Sequence, residues 1–343
     1  MAKRILKHIV AAILGWQVRR LRKKNHFLTI GVVGSYGKTS TTLAIAEVLE
    51  HTHNVRYQKG NYNDLVSVPL VFFGLNMPSL FNPFAWLLTF LKIEQQLRHP
   101  FPCEAVVVEL GTDGPGQIAQ FKRYLRLDIA VITSIGPEHM QYFGTIEAVA
   151  KEELAVRKFS KKLIVNGDLC APGYLKKVNP DHVYRVHISP KRPITDWQIK
   201  LGDNKYRVAS SVISEAQVFS RTSAFLVGIL IGEPADKLEI RLGSVHAAPG
   251  RLQLLKGQKL STIIDDTYNA SPEATKIALD TLYTFPAKQR IALLGMMNEL
   301  GQDSELHHRA IGRYCDPEKV DYVVTLGQDA NTYIASEAEK KGC

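Results

Sequence analysis

A glycine-rich segment, Gly34-Ser-Tyr-Gly-Lys-Thr-Ser40, is the feature that most restricts how this chain can fold. It follows an apolar run, Leu28–Val33, and leads into a helical pattern that begins at Lys38. Glycines let the backbone curl so that its N–H groups face phosphate oxygens, and the helix N-terminus adds its positive dipole end. A strand, a glycine turn and a helix in this order predict a P-loop. The residues expected to bind the nucleotide here are Gly34, Ser35, Gly37, Lys38, Thr39 and Ser40.

Within this loop, Lys38 is expected to reach the β- and γ-phosphates, and the Thr39 hydroxyl is expected to ligate Mg²⁺. The general P-loop pattern has a glycine five residues before Gly37, where this chain has Val32, so only the tighter form is present. A GTPase is a rival interpretation, because Asp113-Gly-Pro-Gly116 matches a D-x-x-G pattern. No N-K-x-D guanine-reading motif occurs in the sequence, which weakens that interpretation.

Short apolar runs alternate with helical patterns, which predicts an α/β fold with mostly parallel sheets covered on both faces. The predicted strands are Leu28–Val33, Ala105–Glu109, Ile129–Thr133, Lys162–Asn166, Thr262–Asp265, Arg290–Leu294 and Tyr322–Leu326. The predicted helices are Lys38–Glu50, Gly116–Leu125, Thr145–Phe159, Pro272–Tyr283, Ser304–Tyr314 and Asn331–Lys341. This order indicates a P-loop central domain over residues 28–246 and a Rossmann-like C-terminal domain over residues 247–343. Residues 170–210 show no clear pattern and carry no prediction.

The positive charge of the chain is concentrated at one end. Residues 1–26 contain eight Lys and Arg and no Asp or Glu, out of a formal net charge of +10. The rest of the chain is nearly balanced, so no nucleic-acid-binding surface is expected on it. The 4 cysteines form no close pair and no metal-type spacing, which is typical of a protein of the reducing cytoplasm.

The N-terminal segment, residues 1–27, is predicted to be a basic amphipathic helix. The apolar run Ile5–Val18 is short for a membrane span and is interrupted by Lys7 and His8. Arg19-Arg20 stands where a signal peptide would have its small-residue cleavage site. We expect this helix to pack on the body of the protein, and reversible attachment to the inner membrane surface is the alternative.

An aromatic stretch between Asn76 and Pro102 contains Phe84-Ala-Trp-Leu-Leu-Thr-Phe-Leu91 and is predicted to be a helix on the surface of the first domain. Its apolar side chains are expected to have a core role. Contact with a membrane or a partner is the alternative.

Beyond the P-loop, an ordered set of motifs resembles the Mur ligases of cell-wall peptide synthesis. Within that family the chain most resembles the members that add D-alanyl-D-alanine to a muramoyl tripeptide. The similar segments run from about residue 28 to residue 327. They are Gly60-Asn-Tyr-Asn-Asp64, Val68-Pro-Leu70, Glu109-Leu-Gly111, Ile135-Gly-Pro-Glu-His139, Pro249-Gly-Arg251, Asp265-Asp-Thr-Tyr-Asn-Ala-Ser-Pro272, Leu294-Gly-Met-Met-Asn-Glu-Leu-Gly301 and His308-Arg-Ala-Ile-Gly312.

The resemblance implies a ligase in which a substrate carboxylate attacks the γ-phosphate of ATP, and the acyl phosphate then reacts with an amine. It implies that Glu109 ligates Mg²⁺ together with Thr39. His139 would ligate a second Mg²⁺, with contact through water as the alternative. Lys151 would be the family's carbamylated lysine, and the alternative is an ordinary solvated lysine on a helix face.

The resemblance also assigns residues to the nucleotide and to the substrate. Arg251 would meet an ATP phosphate from the second domain, and Asp266 would contact the ribose, with Tyr268 and Asn269 in the same loop. The residues implied on the substrate side of the cleft are Asn61, Asn63 and Asp64. His308 is expected to be structural rather than catalytic.

The chain departs from the family pattern in four places. Only 27 residues precede the P-loop strand, so we expect the family's UDP-binding domain to be missing and a partner to be its potential replacement. The adenine segment appears only as Ser214-Glu-Ala-Gln-Val-Phe-Ser220, where Gln217 and Ser220 stand in for two Asn. Met296 replaces an Asp, although Glu299 follows as usual. The chain stops at Cys343, so we expect the C-terminal domain to be incomplete.

The sequence therefore predicts a cytoplasmic ATP- and Mg²⁺-dependent ligase for a small peptide precursor, with its site in the cleft between two domains. One alternative is a related ligase for another amino acid or peptide, as in folate polyglutamylation. Another is a non-catalytic nucleotide-binding scaffold held at a membrane by residues 1–26.

Overall fold

The computed structural model describes residues 2–58, 60, 62–175, 182–188, 197–201, 203–208, 213–298 and 300–343. The first domain contains six parallel strands, β1 (Leu28–Val33), β2 (Val55–Tyr57), β3 (Ala105–Glu109), β4 (Leu127–Ile132), β5 (Ser160–Asn166) and β6 (Val183–Val186). They form one sheet in the order β2-β3-β1-β4-β5-β6. Because β1 pairs with both β3 and β4, the loop after β1 lies at the carboxyl edge of the sheet, between the ends of its two neighbours.

Helices cover both faces of this sheet. On one face, α2 (Lys38–Glu50) packs against α8 (Glu215–Leu230) over the side chains of Ile30 and Val32. The opposite face is covered by a second core that includes Val106 and Val108 of β3. Alternate residues of a strand point to opposite faces, and nearly every strand residue here is apolar, which is why both faces are buried. The prediction of a P-loop α/β domain on a mostly parallel sheet is confirmed.

The remaining elements of the first domain are short. They are the helices α3 (Ser67–Val71), α5 (Ile118–Phe121), α6 (Met140–Phe143), α7 (Ile146–Glu153) and α9 (Ala235–Leu242), and the antiparallel strands β7 (Trp197–Leu201) and β8 (Asn204–Val208). The helices predicted over 116–125 and 145–159 are shorter than expected. The second of them changes to a 3₁₀ helix at Leu154–Phe159, which is followed directly by β5.

The C-terminal domain begins with an antiparallel pair, β9 (Gln253–Lys256) and β10 (Thr262–Asp265). A parallel pair follows, β11 (Ile291–Gly295) and β12 (Tyr322–Leu326). The helices around them are α10 (Pro272–Thr284), α11 (Ser304–Tyr314) and α12 (Ala335–Lys341). A separate apolar core joins these helices to the parallel pair and includes Leu279, Leu294 and Ile311.

The N-terminal segment forms α1 (Ala2–Lys24), which packs on the first domain as expected. One stripe of this helix is buried, and its members are Val10, Leu14, Gln17, Val18 and Leu21. Among the described residues, no helix has the length and apolar character needed to cross a bilayer.

The aromatic stretch forms α4 (Pro83–Gln96), whose first turn is capped by the Asn82 side chain. Trp86 and Ile93 are buried on its inner side. The expectation of a core role is wrong for the outer side, because Phe84, Leu87, Leu88 and Leu91 are each more than half exposed.

Candidate active site

The P-loop is shaped by two glycines in left-handed or extended positive-φ conformations, Gly34 at φ 128° and Gly37 at φ 84°. A Cβ on Gly34 would come within 2.3 Å of the Thr133 hydroxyl, so only glycine fits there. The loop is fastened to the end of β4, where Ser35 N–H donates to the Ser134 carbonyl at 3.1 Å and Tyr36 N–H donates to the Ser134 hydroxyl at 2.9 Å. The curled backbone predicted from the sequence is therefore present and held rigidly.

Lys38 begins α2 and folds over this loop. Its Nζ donates to the Gly34 carbonyl and, at 3.2 Å, to the Ser35 carbonyl, and it forms an ion pair of 3.2 Å with Glu138. Burial acts to lower the pKa of Lys38, but the surrounding carboxylates, Glu138 foremost, outweigh it and raise the pKa. Lys38 therefore carries a full positive charge at the mouth of the loop.

The predicted metal ligands Thr39 and Glu109 are in direct contact. The Thr39 hydroxyl donates to Glu109 Oε2 at 2.9 Å, and Asn63 Nδ2 donates to Glu109 Oε1 at 3.1 Å. Glu109 is only 4% exposed, and a buried carboxylate requires partners of this kind. A hydroxyl and a carboxylate are the oxygen ligands that Mg²⁺ prefers, so the pair fits this ion.

No group of three or more His, Cys, Asp and Glu side chains suited to a metal ion occurs among the described residues. The protein residues at this point would therefore supply only part of a Mg²⁺ coordination shell. Mg²⁺ usually keeps several waters and binds through one or two carboxylates plus substrate phosphates, which agrees with a site next to a P-loop.

His139 lies at the start of α6 in a left-handed conformation with φ 47°. Its Nε2 is 3.8 Å from Glu138 and 3.9 Å from Asp113. It borders an open cavity of about 700 Å³, which is also lined by Asp113, Gly114, Pro115, Gln117, Gln141 and Tyr142. A non-glycine residue at positive φ is uncommon, and such conformations are concentrated at functional sites.

Glu138 is a further candidate site residue that the sequence analysis did not predict. It contacts both Lys38 and His139, and so it connects the P-loop with the wall of the cavity. Its place directly before His139 in Ile135-Gly-Pro-Glu-His139 was the one signal that could have identified it.

Helix α7 contributes two further carboxylates that sequence reasoning missed. Glu153 Oε2 accepts a hydrogen bond of 2.9 Å from the N–H of Gly34 in the P-loop. Glu152 accepts bonds of 2.6 Å from the N–H groups of both Gly116 and Ile118. Burial raises the pKa of Glu153 to about 8, although the charge of Lys38 acts in the opposite direction.

Lys151, the residue before this pair, is exposed on α7. It is not buried among the P-loop carboxylates, and its carbamylation stays a prediction.

The substrate-side residues are only partly covered by the structure. Asn61 lies outside the described residues, and Asn63 is the partner of Glu109. Asp64 accepts hydrogen bonds from the Ser67 hydroxyl at 2.7 Å and the Ser67 N–H at 2.8 Å, and it pairs with Lys7 of α1 at 2.7 Å. Burial opposes ionisation of Asp64, but these donors outweigh it and lower its pKa. Asp64 therefore fastens α1 to the loop, a role that the sequence did not predict.

The residues expected from the second domain are grouped around the start of β9. The Arg251 guanidinium lies over the Tyr268 ring, 4.2 Å from its centroid. Asp266 Oδ1 accepts a bond of 3.1 Å from Leu252 N–H, and burial raises the pKa of Asp266 to about 6. Asn269 is exposed in the same loop.

The altered adenine segment forms the first turns of α8 and is occupied by internal contacts. Gln217 Nε2 donates to the Leu252 carbonyl at 3.0 Å, and the Ser220 hydroxyl is 3.0 Å from that of Thr41. Contact of Gln217 or Ser220 with adenine would require these bonds to rearrange, and it stays a prediction.

A smaller cavity of about 210 Å³ lies beside these first turns of α8. It is lined from both domains, and its wall includes Tyr36, Trp197, Ser214, Glu215, Ile277 and Thr281.

His308 is fully buried. Its Nε2 accepts a bond of 2.9 Å from Met297 N–H, and its Nδ1 is 2.7 Å from the Ser304 carbonyl. These contacts give it the structural role that was expected. Met296 is exposed at the end of β11, and Glu299 lies outside the described residues.

Comparisons with protein families agree with this geometry. Residues 32–221 match the model of the Mur ligase middle domain, and residues 250–342 match that of the Mur ligase, glutamate ligase domain.

Individual relatives point the same way. The UDP-N-acetylmuramoyl-tripeptide–D-alanyl-D-alanine ligase of Bacillus subtilis is 27% identical over 323 residues, which cover 91% of this chain and 65% of that protein. The ligase of the same name from Haemophilus influenzae is 25% identical, over 95% of this chain and 69% of that one. The chain thus spans about two thirds of the length of these relatives.

Solved structures show the same fold. The crystal structure of MurF from Acinetobacter baumannii superimposes with a TM-score of 0.77 and 21% identity, covering 96% of this chain and 70% of that one. The MurF ligase of Thermotoga maritima in complex with ADP gives a TM-score of 0.71 and 22% identity, over 97% of this chain and 85% of that one.

Proposed function

This chain belongs to the Mur ligase family, and on that premise we propose that it is an ATP-dependent, ADP-forming ligase that joins a carboxyl group to an amine. We further propose that the carboxyl belongs to a UDP-muramoyl tripeptide and the amine to D-alanyl-D-alanine, as the names of the similar ligases indicate. The observation that carries the proposal is the contact between Thr39 and Glu109 at the start of α2, next to Lys38. It combines a phosphate-binding cation with an oxygen pair of the kind that Mg²⁺ prefers.

In the first half-reaction, an oxygen of the substrate carboxylate attacks the γ-phosphorus of ATP, and ADP leaves with the electrons of the broken P–O bond. Lys38 is placed to neutralise charge on the phosphate oxygens. The N–H groups at the start of α2 would orient these oxygens, because those of Gly34, Ser35 and Tyr36 already donate within the protein. To do so, Lys38 exchanges its contact with Glu138 for a phosphate oxygen. Mg²⁺, when bound by Thr39 and Glu109, supplies further charge neutralisation.

In the second half-reaction, the amine attacks the acyl carbon, its extra proton is lost, and inorganic phosphate leaves. No side-chain nucleophile is required, so the protein contributes positioning and positive charge. We propose that His139, which borders the cavity, would hold a second Mg²⁺ there, directly or through water. A carbamylated Lys151 would provide a further anionic ligand there.

The second domain would complete the nucleotide site. We propose that Arg251 contacts an ATP phosphate, that Asp266 contacts the ribose and that Asn269 lies beside it. Asn61, Asn63 and Asp64 are proposed to border the substrate, with Asn63 acting through its hydrogen bond to Glu109. We also propose a cytoplasmic location.

The decisive experiment measures ADP and phosphate release with Mg²⁺-ATP, UDP-muramoyl tripeptide and D-alanyl-D-alanine, together with the mass of the product. Release that requires both substrates and gives the ligated mass is expected. Lys38→Ala should abolish it, while the exposed Lys237→Ala serves as a matched control. ATP binding without release in the presence of both substrates would contradict the proposed substrates.

A further inference from the structure

Two helices of the first domain expose rows of large apolar side chains. On α1 the row consists of Leu6, Ile9, Ile13 and Trp16. On α4 and the turn before it, the row consists of Phe81, Phe84, Leu87, Leu88 and Leu91. We call these nine side chains the apolar face. Single exposed apolar residues are ordinary on a protein surface, whereas a contiguous group marks an interaction site.

The two rows meet at an ion pair. Arg20 follows Trp16 by one helical turn, and its guanidinium lies over the indole ring at 4.5 Å from the centroid. Arg20 pairs with Glu94, which lies two turns beyond Leu87 on the same line of α4. Gln17 Nε2 also donates to Glu94 at 3.5 Å. The rows are thus joined through side chains that belong to both helices.

The orientation of the apolar face is fixed by what lies behind it. Leu14 and Val18 of α1 are fully buried, as is Ile93 of α4, and Trp86 is nearly so. Turning either helix to hide its outer row would expose these core side chains. The apolar face is therefore a stable surface of the folded protein.

The surroundings of this face are strongly basic. Residues 6–26 hold six Lys and Arg and no acidic residue. Lys23 and Lys24 follow the apolar row of α1 at the end of this helix and are exposed, and Lys92 is exposed on α4 next to Leu91. Lys24 Nζ donates to the Leu97 carbonyl at 3.2 Å, a neutral partner that leaves its positive charge on the border.

We propose that the apolar face docks on an anionic membrane surface, with α1 and α4 lying in the plane of the interface. Interfacial helices combine Trp, Phe and Leu on one side with Lys and Arg along the polar border, which is the arrangement here. The apolar side chains would enter the acyl boundary, and the basic border would lie among anionic headgroups. The charge of the border selects a lipid surface over an uncharged partner.

The test is flotation of the full chain with vesicles of phosphatidylcholine alone and with vesicles of equal parts phosphatidylcholine and phosphatidylglycerol. Binding is expected only to the anionic vesicles, and it should weaken as salt is added because the border charges are exposed. Phe84→Ser combined with Leu88→Ser should reduce partitioning at least about tenfold, since two large apolar side chains no longer enter the lipid.

A matched pair of substitutions controls for general loss of surface hydrophobicity. Ile240 and Leu260 are both highly exposed and lie outside the apolar face, so Ile240→Ser with Leu260→Ser should leave partitioning unchanged. Thermal unfolding and ATP binding of both double variants should match the parent chain, which excludes misfolding as the cause.

Two further double variants test the contribution of the basic residues. Lys23→Glu with Lys92→Glu should weaken binding to anionic vesicles, whereas Lys205→Glu with Lys237→Glu should not. Three results would overturn the proposal. These are no flotation with anionic vesicles, flotation that the Phe84 and Leu88 changes do not alter, and a vesicle-free dimer that those changes dissociate. The last result would assign the face to a second copy of this chain.

Discussion

The buried carboxyl of Glu153 leads to a prediction about how the stability of this protein depends on pH. Glu153 is 1% exposed and accepts the N–H of Gly34 in the P-loop. Its neutral form already provides the carbonyl oxygen that this bond needs. Glu153→Gln retains that oxygen and the shape of the side chain but cannot ionise. The variant therefore isolates the effect of the titration from the effect of the hydrogen bond.

The size of the effect follows from the raised pKa. The pKa of Glu153 rises from 4.5 to about 8, because burial disfavours the charged form. Between these values the native state binds a proton that the unfolded state has lost, so the free energy of unfolding decreases as pH rises. The contribution is fully present below about pH 4.5 and is lost as pH increases through about 8. At about 1.4 kcal/mol for each pH unit, the total loss is roughly 3–5 kcal/mol.

Urea unfolding of the nucleotide-free and Mg²⁺-free protein at a series of pH values from about 5 to 9 measures this slope. The parent chain should lose stability more steeply than Glu153→Gln, by about 1.4 kcal/mol per pH unit up to about pH 8. Glu147→Gln is the matched control, because Glu147 is exposed on the same helix. Parallel curves for the parent chain and Glu153→Gln would show that Glu153 is ionised in the native state and would refute the reasoning.

Three further predictions concern the metal pair, the N-terminal helix and the buried histidine. Thr39→Val removes the hydroxyl that contacts Glu109. The variant should need a Mg²⁺ concentration about 10- to 100-fold higher for half-maximal ATP turnover. An unchanged Mg²⁺ requirement would exclude this hydroxyl as a ligand. Leu14→Ala should lower the free energy of unfolding, measured with urea, by about 2–5 kcal/mol because Leu14 is buried. Ile13→Ala, on the exposed side of α1, should lower it much less. Equal losses of stability would mean that α1 is not packed as described. His308→Ala leaves the buried N–H of Met297 without its partner. It should reduce stability by about 1–3 kcal/mol without changing the KM for ATP, and a large rise in that KM would assign His308 to the nucleotide site.

The parts of the fold that depend on local pattern could be predicted from the sequence. The limits of β1, β3 and α2 coincide with the predicted ones, because continuous apolar runs and the glycine turn are properties of neighbouring residues. Short strands such as β2 carried too weak a pattern to be predicted, since a strand of 3 residues has little periodicity.

Contacts between distant residues could not be predicted in this way. Glu138 is 100 residues from Lys38, and Glu153 is 119 residues from Gly34. The residues next to each glutamate do not show that it contacts the P-loop, because these contacts depend on the order of strands in the sheet. The outer side of α4 was misjudged for a different reason. Most large apolar residues are buried, so an apolar run is normally expected to belong to the core. That expectation is wrong where a protein exposes apolar side chains on its surface.

The ion pair between Lys7 and Asp64 connects the N-terminal helix mechanically to Glu109, the carboxylate proposed to bind Mg²⁺. Asp64 directly follows Asn63 in the chain, and the side-chain amide of Asn63 donates a hydrogen bond to Glu109. A force or restraint applied to α1 is therefore carried through two adjacent residues to the oxygen pair formed by Glu109 and Thr39. Since coupling between two binding events is reciprocal, occupation of that oxygen pair would also alter how firmly α1 is held.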